Sequence, residues 1–378
     1  MVKVKDFIQR FEQFAPRYLA EQGDPVGMQI GSTQQTIHRV LVTLDVRPEV
    51  VKEAIAKKVD FIFTHHPVVF HPAKNLVTDD PQNAMYAELL RHHIAVYAAH
   101  TNLDSANGGM NDWLAEQLQL QNIQVLQPSY RRRIKKLATY VPEANAAAMR
   151  QALAAAGAGQ LGDYSAASFS YAGTGRFTPD NGAQPFIGQV GRAEAVAETK
   201  VEVVFPEDLT NPVLAAMFST HPYEEPAYDL FTLDNATGEQ FGIGRVGEPS
   251  KTMTIRQFAE FTRTVFAVNG LRLVTHNPDD LVKRVAVIGG DGGKFYPAVL
   301  QQQANVFVTG DVYYHTAHDM LAAGLSAVDP GHHIESIVKT KAIPLFEQWA
   351  QALAWTDVTF MASTLSTDPF TFISSTND

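Results

Sequence analysis

From Arg39 the chain reads RVLVTLDV, RPEVVKEAIAKK and VDFIFTHHP in succession: an apolar run, an amphipathic stretch of helical period, and a second apolar run. This is a βαβ unit, and it repeats with NAMYAELLRHH as helix, IAVYAA as strand and MNDWLAEQLQL as helix. The same scheme returns near the C-terminus as RVAVIGG, FYPAVLQQQ, NVFVTG, TAHDMLAAG and LSAVDPG. Strands that are apolar along their whole length need cover on both faces, which helices of crossover connections provide. The alternation predicts an α/β domain with a mainly parallel sheet.

Between these stretches the texture changes. KKLATYVP reads as a strand, EANAAAMRQALAAAG as an Ala-rich helix, and SAASFSYAGTGRFTPDNGAQPFIG as a turn-rich β segment. KVEVVFP, NPVLAAMFSTHP and AYDLFTLD then read as strand, helix and strand. Two βαβ-like units with short strands predict an inserted ferredoxin-like α+β domain over residues 133–234. The larger α/β domain is then discontinuous, residues 1–132 and 235–378. The 378 residues suit such an arrangement, at roughly 100–200 residues per domain. The basic segment YRRRIKK at the first junction reads as a solvated linker.

Zero cysteines exclude disulfides, thiolate nucleophiles and Cys-type zinc sites together. Any metal must be held by imidazole nitrogen and carboxylate oxygen. The formal net charge of -10 disfavours a general nucleic-acid-binding surface. No stretch approaches the roughly 18 apolar residues of a membrane span. The N-terminus MVKVKDFIQRFEQFAP alternates charged and apolar residues and lacks the apolar core of a signal peptide, so the expected compartment is the cytoplasm.

Six of the 13 histidines stand just after a predicted strand: His65, His66, His100, His315, His332 and His333. In open α/β sheets, ligands bind at the carboxyl ends of the strands, where loops converge. FIFTHHPVVFHP runs an apolar strand directly into His65 and His66, and adjacent residues project in diverging directions, so two neighbouring ions could each take one. AVYAAHTNLDSANGGMNDW ends a strand at His100 and carries Asp104 in the loop, either as a turn or capping residue or as a hard oxygen ligand. His100 is equally a ligand or a support for one. In LSAVDPGHHIESIVKTK, His332 and Glu335 stand three residues apart, on one face of an emerging helix, while His333 points off that face as a wall residue.

His65, His66, Asp104, His332 and Glu335 are too many for one tetrahedral zinc with an open position. Two divalent ions fit better, with Glu335 or a water between them. Zinc, iron, manganese, cobalt and nickel all accept such a set. Two further motifs face the same rim. VIGGDGGKFYPA offers either backbone N–H groups for an anion or a tight structural turn. In VFVTGDVYYHTAHD, Asp311 reads as a helix cap and His315 as the candidate proton-transfer residue.

The motifs GDPVGMQIG, THHPVVFHP, AAHTNLDSANGGMNDWLA, GIGRVGE, VIGGDGGKF, VTGDVYYH and VDPGHHIES run in order across nearly the whole chain. Together they resemble the Nif-three-like dinuclear metal-centre family, whose members are often named GTP cyclohydrolase 1 type 2 homologues. RFTPDNGAQPFIG and THPYEEPAYDL look like the inserted P-II/CutA-like module of that family's longer bacterial members. The resemblance implies metal ligation by the paired histidines His65 and His66, the loop aspartate Asp104, and His332 and Glu335 of the C-terminal motif. It also implies a toroidal homohexamer, and by name a hydrolytic opening of the guanine imidazole ring of GTP.

The expected function is that of a metal-dependent hydrolase acting on a nucleotide or other small molecule, with neither a membrane nor a nucleic acid as partner. The alternative is a non-catalytic regulatory protein that binds metal or a small molecule.

Overall fold

The computed structural model describes residues 1–234 and 238–373. The chain divides into two compact units, Met1–Tyr130 with Phe241–Asp378, and Arg131–Gln240. Residue 235, at which the sequence pattern starts the second part of the larger domain, lies outside the described residues.

The first unit is a mixed α/β body with two sheets. One has the spatial order Gly27–Ile30, Ala95–Ala98, Phe61–Thr64, Arg39–Thr43, Thr359–Ala362. Every neighbouring pair is parallel except the first. These strands are as buried as their composition demands: Phe61, Ile62 and Phe63 are fully covered, as are Val40, Leu41 and Val42. Register sets where the loops emerge. Thr43 pairs with Thr64 and Thr64 with Ala98, so three strands end level and release Asp45, His65, His66 and His100 at one rim. Pro67, which has no N–H to donate, stops the ladder directly after the histidines.

The second sheet runs Arg272–Val274, Ser326–Asp329, Val306–Gly310, Val285–Asp291, Gln240–Pro249, Leu120–Arg131. Its three central strands are parallel, while Arg272–Val274 and Gln240–Pro249 are antiparallel to their neighbours. The N-terminal helix Val4–Phe14 buries Val4, Phe7 and Phe11. Its rings meet those of the first sheet and of the helix Val338–Ala352, with Phe11 and Phe63 centroids 4.9 Å apart and Phe7 and Phe346 5.0 Å apart. Edge-to-face contacts of this kind add about 0.5–1.5 kcal/mol each beyond burial.

The second unit has the order strand Ile134–Pro142, helix Ala146–Ala155, strands Phe169–Phe177 and Glu194–Pro206, helix Thr210–Thr220, strand Tyr228–Leu233. Its sheet is antiparallel throughout, in the order Phe169–Phe177, Glu194–Pro206, Ile134–Pro142, Tyr228–Leu233. Leu137, Val141, Val201, Val203 and Phe205 pack with Met149, Leu153, Val213 and Met217 of the two helices. The segment YRRRIKK is no linker. Its last residues open the strand Ile134–Pro142, and two of its cations are paired: Arg132 Nε lies 3.2 Å from Asp208 and Lys136 Nζ 2.9 Å from Glu202. A strand with acidic neighbours accommodates alternating Lys and Arg as readily as a linker does, so charge alone does not separate the two. Among the described residues, no helix is long and apolar enough to cross a membrane.

Candidate metal centre

His65 and His66 leave their strand with the ladder still engaged, His65 N donating to Thr43 O and His66 N to Leu44 O. Alternation sends the two rings to different neighbours. His65 is fully buried; its Nδ1 lies 2.8 Å from Ala99 O and its Nε2 lies 3.6 Å from both Asp104 Oδ1 and Glu335 Oε1. His66 Nδ1 lies 2.7 Å from Asp45 Oδ1, and its Nε2 lies 3.0 Å from Glu335 Oε2.

His332 and Glu335 open a six-residue 3-10 helix, His332–Ile337. Three residues complete one turn of such a helix, so the pair is eclipsed and shares a face more closely than on the α-helix expected from the sequence. His332 Nε2 lies 3.2 Å from Glu335 Oε2, and its Nδ1 2.7 Å from Asp311 Oδ2. Glu335 is 2% exposed and has its room from glycines: a Cβ on Gly289 would come within 2.6 Å of Glu335 Oε1. Gly290, at φ +59, is similarly close to His332 Nε2, at 3.0 Å. The Gly-rich turn of VIGGDGGK thus makes space for two of the five candidate ligands.

The five residues fall into two sets that share one carboxylate. His65, Asp104 and Glu335 form one trio and His66, His332 and Glu335 the other, each with its ligand atoms within 4.8 Å of one another. Glu335 gives Oε1 to the first and Oε2 to the second. His65, His66 and His100 form a third trio of that kind. His100 Nδ1 lies 2.9 Å from Asp24 Oδ1, and its ring centroid is 5.3 Å from that of His65.

Two observations fit this cluster to a metal. His65 Nε2 and Asp104 Oδ1 are buried, face each other and have no hydrogen-bond partner among the described residues, a costly arrangement unless something else satisfies them. Moreover, the Nδ1 atoms of His65, His66, His100 and His332 all rest against oxygen acceptors. That places a proton on Nδ1 and turns each Nε2 toward the cluster, the usual support of a metal-ligating histidine, although in His66 and His332 Nε2 donates to Glu335 and would have to release its proton to an incoming ion. Imidazole and carboxylate donors suit borderline divalent ions.

The electrostatics agree. Burial, reinforced by the charge of Glu335, pushes the Asp104 carboxyl up to about 8. Burial would also raise Glu335, but the His65 imidazole and the hydrogen bonds of His332 and His66 hold it well below the usual carboxylate range. Despite burial, the hydrogen bonds to Asp45 and Glu335 raise His66 to about 10. His332 is raised to about 9, chiefly by its hydrogen bond to Glu335. Four neighbouring groups that displace one another's protonation so strongly mark a place built for positive charge.

His66, His332 and His333 open onto a cavity of about 900 Å³, whose wall also carries Arg47, Arg272 and Phe370. His315, the candidate proton-transfer residue, is exposed on the first turn of the helix Tyr314–Ala322, its ring contact is with Tyr314, and among the described residues no hydrogen bond joins it to the five. Asp311 does not cap that helix, whose N-cap is Tyr313; it adopts φ 51 and holds His332 instead. Sequence reading misses Asp24 and Asp45. Asp45 is the findable one, since it closely follows RVLVT at a strand's carboxyl end like the histidines.

Comparison with known proteins bears on the whole chain. The family model Duf34/NIF3 (NGG1p interacting factor 3) matches residues 2–369. A Bacillus subtilis protein named GTP cyclohydrolase 1 type 2 homolog is 45% identical over 372 residues, 98% of this chain and 99% of that protein. A Mycobacterium tuberculosis protein of the same name is 37% identical over 88% of this chain and 87% of its own. Among solved structures, a Bacillus cereus protein related to NIF3 superposes with a TM-score of 0.92 at 42% identity, covering 98% of this chain and 99% of that one.

Proposed function

The chain belongs to the Duf34/NIF3 family, and from that premise we propose that it is a metal-dependent hydrolase built on two divalent ions. The observation that carries the reading is the division of Glu335, one oxygen toward His65 and the other toward His66 and His332, with the buried His65 Nε2 and Asp104 Oδ1 unpartnered beside it. One ion is assigned to His65, Asp104 and Glu335, the other to His66, His332 and Glu335; zinc, iron, manganese, cobalt and nickel all suit these donors. Two such ions supply, when bound, a polarised water of lowered pKa that can act as a nucleophile near neutral pH.

The protein's own residues do the rest. Asp104 and Glu335 bring negative charge to offset the ions. Asp45, Asp311 and the Ala99 carbonyl hold the three histidine rings in one orientation. His100, steadied by Asp24, is the residue we assign to hold or pass a proton beside the His65 and His66 rings. The name of the relatives suggests a purine nucleotide as substrate. A cavity of about 900 Å³ matches the roughly 300–1,000 Å³ of small-molecule sites, and Arg47 and Arg272 in its wall suit an anionic group. The ferredoxin-like reading of Arg131–Gln240 rests on its strand and helix order, and the homohexamer on the family resemblance; light scattering at the mass of six chains tests the latter.

The decisive experiment strips the protein with a chelator, restores single defined metals and screens nucleotides, phosphodiesters and cyclic amides for hydrolysis. Turnover that needs metal and disappears in Glu335→Ala supports the proposal. Full activity in the stripped protein ends it. Ligand binding with no turnover under any metal favours the regulatory alternative, which the separate cavity of the second unit already recommends.

A further inference from the structure

The second unit has a cavity of its own, about 760 Å³, on the sheet face away from its helices. Metal-dependent hydrolysis makes no use of it, nor of the THPYEEPAYDL segment that lines one wall. Three features set its chemistry.

The first is a buried carboxylate. Glu198 is 8% exposed, and its Oε1 accepts a hydrogen bond from Tyr223 Oη at 2.8 Å. Among the described residues, no Lys or Arg forms an ion pair with it. Across the ladder, Glu198 pairs with Gly173, and a Cβ on Gly175 would come within 2.3 Å of Oε2. Glycine at that position lets the carboxylate lie against the neighbouring strand.

The second is an aromatic surround. Phe177 and Phe186 stand 5.9 and 6.4 Å from Tyr223 between ring centroids, and Tyr140 and Tyr171 continue the wall. Those last two rings already attract a cation: Lys200 Nζ lies 5.6 Å from the Tyr140 centroid and 5.4 Å from that of Tyr171.

The third is the balance of charge. Asp180, Glu198, Glu224 and Glu225 line the cavity against Arg176 and Lys200, and Lys200 is already bound to Glu202 at 2.9 Å. The acidic residues are therefore in excess. Backbone ties shape the rim, Gln184 N donating to Glu224 Oε1 at 2.7 Å and Gly191 N to Pro179 O at 2.8 Å.

We propose that this cavity is a binding site for an organic cation, an ammonium or guanidinium group on an apolar body, with Glu198 as its counter-ion and Phe177, Phe186 and Tyr223 as its walls. A cation here exchanges its water shell for ring faces and a carboxylate already removed from solvent, the combination that favours weakly hydrated cations over anions. The cavity volume lies within the range of drug-sized ligands.

The test is calorimetric titration of the full chain with phenethylamine and agmatine, and with phenylacetate and ATP as anionic controls. Either cation should bind, and the anions should not. Glu198→Gln keeps an oxygen acceptor for Tyr223 while removing the charge, and should weaken cation binding at least tenfold with thermal unfolding and bound metal unchanged. Phe186→Ala, on an exposed rim residue, should weaken it severalfold with no cost to folding. Absence of cation binding at millimolar concentrations overturns the proposal. So does ATP or phenylacetate binding as tightly as the amines, or unchanged affinity in a folded Glu198→Gln protein.

Discussion

His65 Nε2 and Asp104 Oδ1 face each other at 3.6 Å, both buried and both without a hydrogen-bond partner among the described residues. Neither atom belongs to the set around His66 and His332, and Glu335 alone joins the two. A one-sided lesion should therefore be distinguishable from a shared one. Asp104→Ala is expected to lower bound divalent metal from two ions per chain to one, while Glu335→Ala should abolish tight binding of both. Elemental analysis after equilibrium dialysis reads the difference. Equal loss in the two variants would refute the division into two sets.

The carboxylates behind the rings should matter almost as much as the ligands. Asp45 and Asp311 each hold an Nδ1 at 2.7 Å, both on the His66 and His332 side. Losing such a support typically costs 10–100-fold in metal affinity. Asp45→Asn and Asp311→Ala should each weaken one ion by that factor and leave the ion near His65 and Asp104 at wild-type affinity, measured by competition with a chromophoric chelator.

The Gly289 position offers a steric counterpart. Its φ lies outside the left-handed region, so alanine brings no backbone strain, yet the added Cβ would sit 2.6 Å from Glu335 Oε1. Gly289→Ala is expected to push the shared carboxylate out of place and lower metal content at both positions, with circular dichroism unchanged. Full metal content would show that Glu335 has room to yield.

The five candidate ligands are legible in the sequence because each follows a strand or opens a turn where parallel strands end, and parallel registry brings such ends to one rim. Their supports are not. An isolated aspartate such as Asp311 reads as a helix cap, and no spacing rule relates it to His332, 21 residues further on. The folded backbone supplies the link, since Asp311 takes φ 51, a left-handed conformation that Asp adopts more readily than most residues, and there its carboxylate meets His332. The Gly-rich turn stays ambiguous for a related reason. Whether Gly289 and Gly290 admit a ligand or a neighbouring side chain depends on what packs above them, and that is Glu335 and His332, far along the chain. The cavity of the second unit is equally hidden, because it arises where Gly173 and Gly175 meet Glu198 across an antiparallel ladder.

Arg245, in GIGRVGE, is 1% exposed and grips Asp112 with two hydrogen bonds, Nε to Oδ1 at 2.8 Å and Nη2 to Oδ2 at 2.7 Å. Its remaining donors reach the carbonyls of Gly242, Gly244 and Ala106. Removing one member of so well-satisfied a pair leaves the other group and three carbonyls stranded. Arg245→Met should cost about 3–5 kcal/mol in urea unfolding. A loss below about 1 kcal/mol would mean that water replaces the guanidinium without penalty.

The second unit should respond to acid through His221. Its Nε2 donates to Tyr140 O at 2.9 Å, while its Nδ1 accepts the Tyr223 N–H at 3.1 Å. Both ring nitrogens are thus committed to the neutral form, since a proton on Nδ1 would point at a donor. Burial lowers this histidine from its ordinary 6.5; the hydrogen bond to Tyr140 and the charge of nearby Glu198 oppose the shift without cancelling it. The unfolded chain, with the ordinary value, therefore binds the proton first as pH falls. The stability that His221 contributes is present in full above about pH 6.5 and drains away below it, until the folded protein also protonates. Unfolding monitored by hydrogen exchange at Thr139 and Val201 should show wild-type protection falling as pH drops through and below the ordinary histidine value of 6.5. In His221→Gln, which cannot titrate, that part of the fall should be absent, although the variant starts from lower stability. Identical pH profiles for the two proteins would assign the acid sensitivity to other groups.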